Sequence, residues 1–217
     1  MARLATDERT RRDMFRLRYL SYLRSGFIQP HPSETFSDSY DDLPNSRSFV
    51  IYENGEPVAS ARACLLAHGS GLRSPAFDTF PAEVAQLLRQ GGAPGFGQRG
   101  IETTRLVRSP RAENNQGLVF LLIRLASYIG MMSHAQLHIA CVRTHHLPFY
   151  KRLGYRPMTE PKPYPGLSCP MLLAASTRER FDEVRAAFPL VDPFAGNRDE
   201  LDGFLAGVPV PMALRRS

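Results

Sequence analysis

The feature that most restricts the fold of this chain is a strand, a helix and a strand in succession near its centre. Residues 101–108 and 135–142 have the apolar patterns of strands, and residues 114–132 between them form a long, largely apolar helical stretch. A connecting helix allows two strands to lie parallel, and such crossovers are almost always right-handed. We therefore predict a βαβ unit at the centre of the molecule.

A β-hairpin is predicted just before this unit. Two strand-like runs, residues 48–53 and 57–66, flank Asn54 and Gly55. Both turn residues tolerate the positive φ angles that a two-residue hairpin turn requires. The two strands are therefore expected to be antiparallel neighbours.

The other segments complete a mixed α/β order. Apolar patterns predict helices at residues 7–26, 81–90, 146–153 and 178–188, and a buried strand at residues 167–175. Residues 29–47, rich in Pro, Ser and Asp, are predicted as a long loop, and the glycine-rich residues 91–97 as a mobile loop. We expect one domain over residues 1–176, with the C-terminal helix and tail, residues 177–217, packed on it.

Composition excludes several classes of protein. The chain has 217 residues, 43% of them hydrophobic, which is enough for one substantial core, and no apolar run approaches the roughly 20 residues of a membrane-spanning helix. The first 13 residues are mostly polar and charged, unlike a secretory signal, so we expect a cytoplasmic protein. Cys64, Cys141 and Cys169 are far apart in apolar surroundings, so we expect buried free thiols and no metal site.

The charge balance favours acidic partners. The chain has 27 basic and 21 acidic residues, for a net charge of +6. It has neither zinc-finger spacing nor an RNA-binding aromatic motif, so no nucleic acid partner is predicted. An acidic carrier protein, a phosphate-bearing cofactor and an anionic membrane surface are all compatible with this charge.

The segment from His146 to Arg156, which contains Phe149-Tyr150 and Leu153-Gly154, resembles the FY-x-x-LGF helix end of GNAT acyltransferases. The resemblance implies the GNAT-like acyl-CoA N-acyltransferase fold, an α/β (α+β) fold with a mixed, mostly antiparallel sheet and a central βαβ unit. It also implies that Tyr150 lies near the sulfur of a thioester and protonates the departing thiolate, since a phenol keeps its proton at neutral pH. Alternatively, this segment only packs its helix on the sheet.

Four further motifs resemble the autoinducer-synthase branch of these enzymes, which includes acyl-homoserine lactone synthases and N-acyl amino acid synthases. In chain order they are Arg18 with Tyr22, the D-x-x-D loop of Asp38 and Asp41, the strand pair Ser60 and Arg62, and the E-x-x-R strand of Glu102 and Arg105. Residues 42–46 and 164–167 are typical of the N-acyl amino acid synthases. Acyl-homoserine lactone synthases usually carry a tryptophan soon after the first helix, whereas this chain has none.

The resemblance assigns chemistry to these residues. Glu102 is the candidate base for the attacking α-amino group, which reacts only as the free amine. Because side chains alternate along a strand, Glu102 and Thr104 are expected on one face, and Arg105 on the other, where it meets Asp38 or Asp41. Arg105 is predicted as catalytic, and the predicted substrate-binding side chains are Arg18, Asp38, Asp41 and Arg62. The alternative is a structural ion network with no direct chemical role.

Two regions are expected to bind the thioester donor. The amides of a splayed strand over residues 104–108, including Thr104 and Val107, are expected to stabilise the oxyanion. Residues 111–117 occupy the place of the glycine-rich pyrophosphate loop of coenzyme A enzymes, but Gly117 is the one glycine there. A thioester on carrier protein has a single phosphodiester and no pyrophosphate, so it needs fewer contacts from this loop. Arg143, Lys151 and Arg152 are expected to attract the acidic surface of a carrier protein, unless they are only a solvated helix face.

We therefore predict an N-acyltransferase that moves a long-chain fatty acyl group from acyl carrier protein, or from coenzyme A, to the α-amino group of an amino acid or another small amine. The thioester is a co-substrate, and no tightly bound cofactor is expected. The enzyme alternatives are an acetyl-CoA-dependent small-molecule N-acetyltransferase and an acyl-homoserine-lactone-type synthase. The non-enzyme alternative is a degenerate GNAT-like binding module, and peripheral membrane contact through a lipid product is left open.

Overall fold

A mixed sheet runs through the structure, a computed structural model that describes residues 1–90, 98–194 and 198–213. Its strands are β1 (Ala2–Leu4), β2 (Ser46–Glu53), β3 (Glu56–Ala67), β4 (Arg99–Arg108), β5 (Leu137–Val142), β6 (Arg156–Pro157), β7 (Lys162–Tyr164) and β8 (Leu167–Thr177). The order is β1-β2-β3-β4-β5-β8-β6, with β7 paired to β8. Strands β4 and β5 are parallel and the other described pairs are antiparallel, which confirms the predicted fold class.

Helices cover both faces of this sheet. They are α1 (Glu8–Arg24), α2 (Pro75–Thr79), α3 (Pro81–Gln90), α4 (Gly117–Met132), α5 (Leu147–Arg152), α6 (Arg178–Ala187) and α7 (Arg198–Leu205). Helix α1 begins where the carboxylate of Asp7 accepts a hydrogen bond from the amide N–H of Thr10, at 2.8 Å. Such a cap satisfies an N–H group that the first turn of a helix leaves without a partner.

The side chains of each strand alternate between two packed layers. Phe49 and Ile51 of β2 join the leucines of α4 in one buried cluster, together with Ile101 of β4. Val50, between them in sequence, packs on the opposite face against Met14 of α1. Burying each large apolar side chain contributes about 1.5–3 kcal/mol relative to leaving it exposed. This alternation therefore determines which residues of the central strands face α1, where the site lies.

Strand β4 separates from β5 after a short parallel stretch. Their pairing runs from Gly100 opposite Leu137 to Glu102 opposite Ile139 and ends there, although β4 continues to Arg108. The second half of β4 therefore borders an opening on the β5 side.

A β-bulge interrupts β4 at the same level. On the β3 side, Ser60 lies opposite Val107 and Arg62 lies opposite Thr104, so β4 has one residue more than β3 between these pairs. Arg105, within the bulge, has a φ angle of +53°. The bulge turns the end of β4 and changes the direction of its side chains.

The predicted hairpin and βαβ unit are both present. Strands β2 and β3 are joined at Asn54 and Gly55, whose φ angles are +51° and +84°. Helix α4 connects β4 to the parallel β5. The short elements β1, α2, β6, β7 and α7 were not predicted, since each is too short for a periodic signal or lies in the tail. The predicted loop at residues 91–97 lies outside the described residues.

Segments after β8 pack on the outside of the sheet. The ring of Phe181 on α6 stacks on His138 of β5, with centroids 4.7 Å apart, and Phe204 of α7 is buried against Phe49. The division of the chain at residue 176 stays a prediction. Within the described ranges, no helix is long and apolar enough to cross a membrane.

The cysteines are less buried than predicted. All three are free, and Cys64 is buried, but Cys141 and Cys169 are half-buried. Cys141 borders the opening between β4 and β5, and Cys169 lies in the first half of β8, which extends past the end of β5.

Candidate active site

The opening between β4 and β5 contains two adjoining cavities. The inner cavity, of about 100 Å³, is lined by Thr104 and Arg105 of β4, by Cys141 of β5 and by Tyr164. The outer cavity, of about 520 Å³, extends along Val107 to the start of α4. Both are lined by Tyr22, Phe27, Leu106, Arg143, His146 and Tyr150. Together they form one continuous cleft, called the β4–β5 cleft below.

Tyr150 lies where the two cavities meet. Its ring, on α5, packs edge-on against the rings of Phe149 and Tyr155, with centroid distances of 5.6 and 5.4 Å. Burial raises the pKa of its phenol to about 12, so the hydroxyl keeps its proton at neutral pH. Burial in the same cleft also raises the pKa of a thiol, as it does for Cys141, so a thiolate that forms beside Tyr150 is able to take this proton.

A chain of hydrogen bonds connects the inner cavity to Glu102. The hydroxyl of Tyr164 donates to Oε1 of Glu102 at 3.1 Å, and the hydroxyl oxygens of Thr104 and Tyr164 are also 3.1 Å apart. The other carboxylate oxygen, Oε2, accepts from the amide N–H of Ala76 in α2, at 2.9 Å. Glu102 is fully buried and does not line the cleft, whereas Tyr164 does. The phenol of Tyr164 therefore stands between the Glu102 carboxylate and the inner cavity.

Burial changes the acidity of both partners in this chain. It raises the pKa of Glu102, although hydrogen bonds from Ser74, Ala76 and Tyr164 favour the charged form. It also raises the pKa of Tyr164 well above the usual value of 10. Glu102 is therefore a stronger base than an exposed glutamate, and Tyr164 stays a neutral phenol.

A Tyr-Pro-Gly turn holds Tyr164 in this position. Tyr164 ends β7 and pairs with Leu167 of β8, with Pro165 and Gly166 between them. Gly166 has a φ angle of +74°, which suits the glycine of a Pro-Gly turn, and a Cβ there would lie 3.2 Å from the ring of Phe36. Nη2 of Arg105 donates to the carbonyl oxygen of Pro165 at 3.0 Å. The turn is thus attached to the bulge of β4.

Three arginines and two aspartates form a buried ion network behind the cleft. Arg18 and Arg62 donate to Oδ1 of Asp41 at 2.7 and 2.9 Å. Arg105 donates through Nε and Nη2 to Oδ2 of Asp38 at 2.9 and 2.7 Å, and Arg62 also donates to Asp38. Although burial acts in the opposite direction, hydrogen bonds and charges from Arg62 and Arg105 hold the pKa of Asp38 at about 2. The network therefore ties the loop before β2 to α1, β3 and β4.

Arg105 lies on the face opposite to the predicted one. Its guanidinium carbon is 5.9, 5.0 and 5.7 Å from the ring centres of Tyr22, Phe36 and Tyr164, on the side of Thr104. The bulge is the reason, because the positive φ angle of Arg105 breaks the alternation of side chains along β4. The predicted contact between Arg105 and Asp38 is nevertheless present.

The structure brings only some of the predicted site residues into the cleft. Its walls include Thr104, Arg105, Val107, Arg143 and Tyr150. The buried ion network holds Arg18, Asp38, Asp41 and Arg62, which line neither cavity, as the structural alternative requires. Direct substrate binding by these four residues stays a prediction.

The predicted donor-binding residues are also separated. Arg143 lines the cleft, where Nη2 lies 2.9 Å from Nε2 of His146 and the guanidinium carbon 4.5 Å from the ring centre of Phe27. Lys151 and Arg152 are exposed at the end of α5. Gly117 begins α4 and lines a different cavity, of about 710 Å³, beside the turn between β2 and β3. The structure therefore does not bring Gly117 together with the three basic residues.

The thiol in the cleft is a poor nucleophile. Burial raises the pKa of Cys141 well above 9, and its neighbours Glu102 and Tyr164 are not cations that would stabilise a thiolate. The geometry therefore favours direct attack of an amine on a bound thioester over a cysteine acyl-enzyme.

Several cleft residues were not predicted as site residues. The most informative are Tyr164, Phe27 and His146, which come together only when segments distant in sequence pack. The signal for Tyr164 in the sequence is the Tyr-Pro-Gly run, which belongs to the family pattern at residues 164–167. A tyrosine held by a Pro-Gly turn next to a central strand is a candidate for such a role.

A sheet that opens between a bulged β4 and a parallel β5 is the fold of the GNAT-like N-acyltransferases, and a match to a family model makes the protein an enzyme of this class. Within the class, residues 13–177 match the family model described as N-acyl amino acid synthase FeeM. The chain belongs to this family. No curated protein sequence matches it.

Solved structures share the fold at low sequence identity. FeeM, an N-acyl amino acid synthase from uncultured soil microbes, is 15% identical with a TM-score of 0.68, over 88% of this chain and 96% of that one. BjaI, a CoA-dependent acyl-homoserine lactone synthase, is 16% identical with a TM-score of 0.61, over 89% and 91%. An acyl-CoA N-acyltransferase from Pseudomonas aeruginosa is 15% identical with a TM-score of 0.55, over 82% and 97%.

Proposed function

We propose that this enzyme transfers a long-chain fatty acyl group from a thioester on acyl carrier protein to the α-amino group of an amino acid. The observation that carries the proposal is the β4–β5 cleft, in which Tyr150 lies beside a strand whose partner has turned away. Membership of the N-acyl amino acid synthase family supports the amino acid as acceptor. The cytoplasmic location predicted from the sequence is part of the same proposal.

The transfer requires a stabilised oxyanion and a proton for the thiolate. Beyond Glu102, β4 has no pairing with β5, so N–H groups on that side are available to the oxyanion of the tetrahedral intermediate. Tyr150, protonated at neutral pH, supplies the proton to the thiolate. Substitution of a group of this kind typically slows a reaction by about 10²–10⁴-fold.

Carrier protein is the favoured donor because of the charges around the cleft. Glu113 and Gln116 line the outer cavity at the start of α4, so a carboxylate lies at the helix start where coenzyme A enzymes bind the pyrophosphate. Arg24, Arg108 and Arg143 line the rest of that cavity, where they suit a phosphodiester. Lys151 and Arg152 are exposed on α5, next to Tyr150 and the cleft, where they suit an acidic protein surface. A phosphopantetheine arm with a single phosphodiester then enters through the outer cavity.

One observation favours a second candidate, a short-chain acyltransferase. The inner cavity, next to Tyr150 and Tyr164, has a volume of only about 100 Å³, which is small for a long acyl chain. The large apolar side chains Leu122 and Phe80 pack in the core and line neither cavity of the cleft. A long chain therefore has to use the outer cavity, of about 520 Å³, or widen the inner one.

The test supplies purified enzyme with acetyl and palmitoyl thioesters, each on acyl carrier protein and on coenzyme A, together with the twenty amino acids. Released thiol and the mass of the acylated product are measured. We expect palmitoyl amide from the carrier-protein donor, and a Tyr150→Phe variant with a much lower rate. Tyr128→Phe is the matched control, since its buried hydroxyl donates to Asp202 at 2.8 Å, away from the cleft. Acetylated products alone support the second candidate, and no amide from any donor contradicts both.

A further inference from the structure

We propose that Tyr164 carries the proton of the attacking amine from the cleft to Glu102. This inference rests on the acyl transfer proposed above and adds to it the route of the proton. Tyr164 lines the inner cavity and Glu102 does not, while 3.1 Å separates the phenol oxygen from Oε1. An amine in the cavity therefore meets the phenol before the carboxylate.

The hydrogen bonds around Tyr164 leave one place for the amine. A tyrosine hydroxyl has one proton to donate and two lone pairs that accept. The proton goes to Glu102, so the hydroxyl of Thr104, 3.1 Å away, is the donor in its contact with Tyr164. The remaining lone pair of the phenol oxygen lies beside the thiol of Cys141, which is a weak donor, so an amine N–H in the inner cavity is able to take that place.

Glu102 is held as the final proton acceptor. Oε2 is occupied by the amide N–H of Ala76, so Oε1, which accepts from Tyr164, is the oxygen connected to the cleft. Within the described ranges no lysine or arginine forms an ion pair with Glu102, and burial raises its pKa. A carboxylate without a paired cation takes up a proton readily, because doing so removes a buried charge.

The step balances as follows. As the amine nitrogen forms its bond to the thioester carbon, an N–H proton passes to the oxygen of Tyr164 and the phenol proton passes to Oε1 of Glu102. The C–S bond then breaks, and Tyr150 gives its proton to the thiolate. The proton on Glu102 returns through Tyr164 to solvent in the open cleft, and Tyr150 regains its proton from the same solvent, so no oxidant, reductant or further reactant is needed.

The two phenols in the cleft differ in their partners, which separates their roles. Tyr164 is hydrogen-bonded to a carboxylate, whereas Tyr150 contacts the rings of Phe149 and Tyr155. Among the residues that the structure describes, no carboxylate is hydrogen-bonded to Tyr150. Tyr164 therefore has a route for accepting a proton, and Tyr150 is suited to donating one.

The experiment compares Tyr164→Phe with the control Tyr128→Phe, after thermal unfolding has shown that both are folded. Thiol release from palmitoyl thioester is followed between pH 7 and 9 with two acceptors, the amino acid mixture and hydroxylamine, a weakly basic amine that is mostly neutral over this range. We expect Tyr164→Phe to lower kcat with amino acids by about 10²–10⁴-fold. With hydroxylamine, the kcat of Tyr164→Phe should fall by less than about tenfold, because the protons of this amine leave without a strong base. Tyr128→Phe should match the wild type with both acceptors.

A second variant separates proton transfer from packing. Glu102→Gln keeps the shape of the side chain but cannot accept the proton. When two groups act as one unit, the effects of substituting them on the rate are not additive. The double variant Tyr164→Phe with Glu102→Gln should therefore be no slower than the slower of the two single variants. Both single variants should show a rate that rises with pH as the free amine becomes available.

Two results overturn the relay. One is a Tyr164→Phe variant that keeps kcat within about twofold, and the other is an equal loss with both acceptors, as a packing defect would give. A wild-type enzyme that forms no amide with any amino acid overturns the proposed function, and the relay with it.

Discussion

Asp38 is expected to be a sensitive position of the buried ion network. Its pKa of about 2, against the ordinary value of 3.8, corresponds to about 2 kcal/mol of stability at neutral pH. Asp38→Asn also leaves Arg18, Arg62 and Arg105 with the single carboxylate of Asp41, and breaking a buried pair costs about 3–5 kcal/mol. We therefore expect a loss of about 3 kcal/mol in the free energy of unfolding.

The expected loss has a defined pH dependence. The pKa of Asp38 is lower in the folded protein than in the unfolded chain, so its contribution is complete above pH 3.8 and disappears as the pH falls toward 2. The difference between wild type and Asp38→Asn should therefore be constant from about pH 5 upward and shrink between pH 4 and 2.

Thermal unfolding provides the assay. For a chain of this length, about 3 kcal/mol corresponds to a fall in Tm of about 6–12 °C. The control is Asp42→Asn, since Asp42 pairs with Arg11 at the surface with 79% of its side chain exposed, and such pairs contribute about 0–1 kcal/mol. A Tm for Asp38→Asn within 2 °C of the control would refute the reasoning that the network is a buried structural element.

Three further predictions concern other parts of the molecule. Burial and the charge of Arg178 lower the pKa of His138 to about 4. The free energy of unfolding should therefore fall by on the order of 3 kcal/mol as the pH drops from 6.5 to 4, and urea unfolding of His138→Leu should show a smaller decline. Gly154→Ala should cost about 1–3 kcal/mol, measured in the same way, because φ is +86° and a Cβ would lie 3.0 Å from Arg180; an unchanged midpoint contradicts this. The double variant Lys151→Glu with Arg152→Glu should raise KM for acyl carrier protein by about tenfold or more at low salt and leave KM for acyl-CoA unchanged. An equal rise in KM for both donors would contradict docking of the carrier protein at these two residues.

Local signals made the framework predictable. Asn54-Gly55 specifies a hairpin turn from two residues, and the helix between β4 and β5 is long enough to show its apolar character over several turns. The Arg105 to Asp38 contact followed from charge and motif order, since a guanidinium pairs readily with a carboxylate wherever the fold permits.

The chemistry of the cleft depends on features that leave little trace in the sequence. A positive φ angle at an arginine gives no compositional signal, so the bulge that moves Arg105 to the Thr104 face was invisible. Tyr164 and Glu102 are 62 positions apart, and their hydrogen bond depends on the Pro165-Gly166 turn and on the position of β7 beside β8. The distances between such segments depend on how the segments pack, and the apolar periodicity of the sequence does not predict that packing.

The position of a bound thioester analogue tests the central claim most directly. A crystal structure would be determined with an analogue of palmitoyl pantetheine phosphate. In this analogue a methylene group replaces the thioester sulfur, so that the acyl carbonyl becomes an unreactive ketone. We predict that the ketone oxygen lies against β4 in the β4–β5 cleft, with Tyr150 and Tyr164 on either side of the reacting carbon and the phosphate toward Arg143. An analogue found instead in the 710 Å³ cavity beside Asn54 and Gly55, with the β4–β5 cleft empty, would contradict the account.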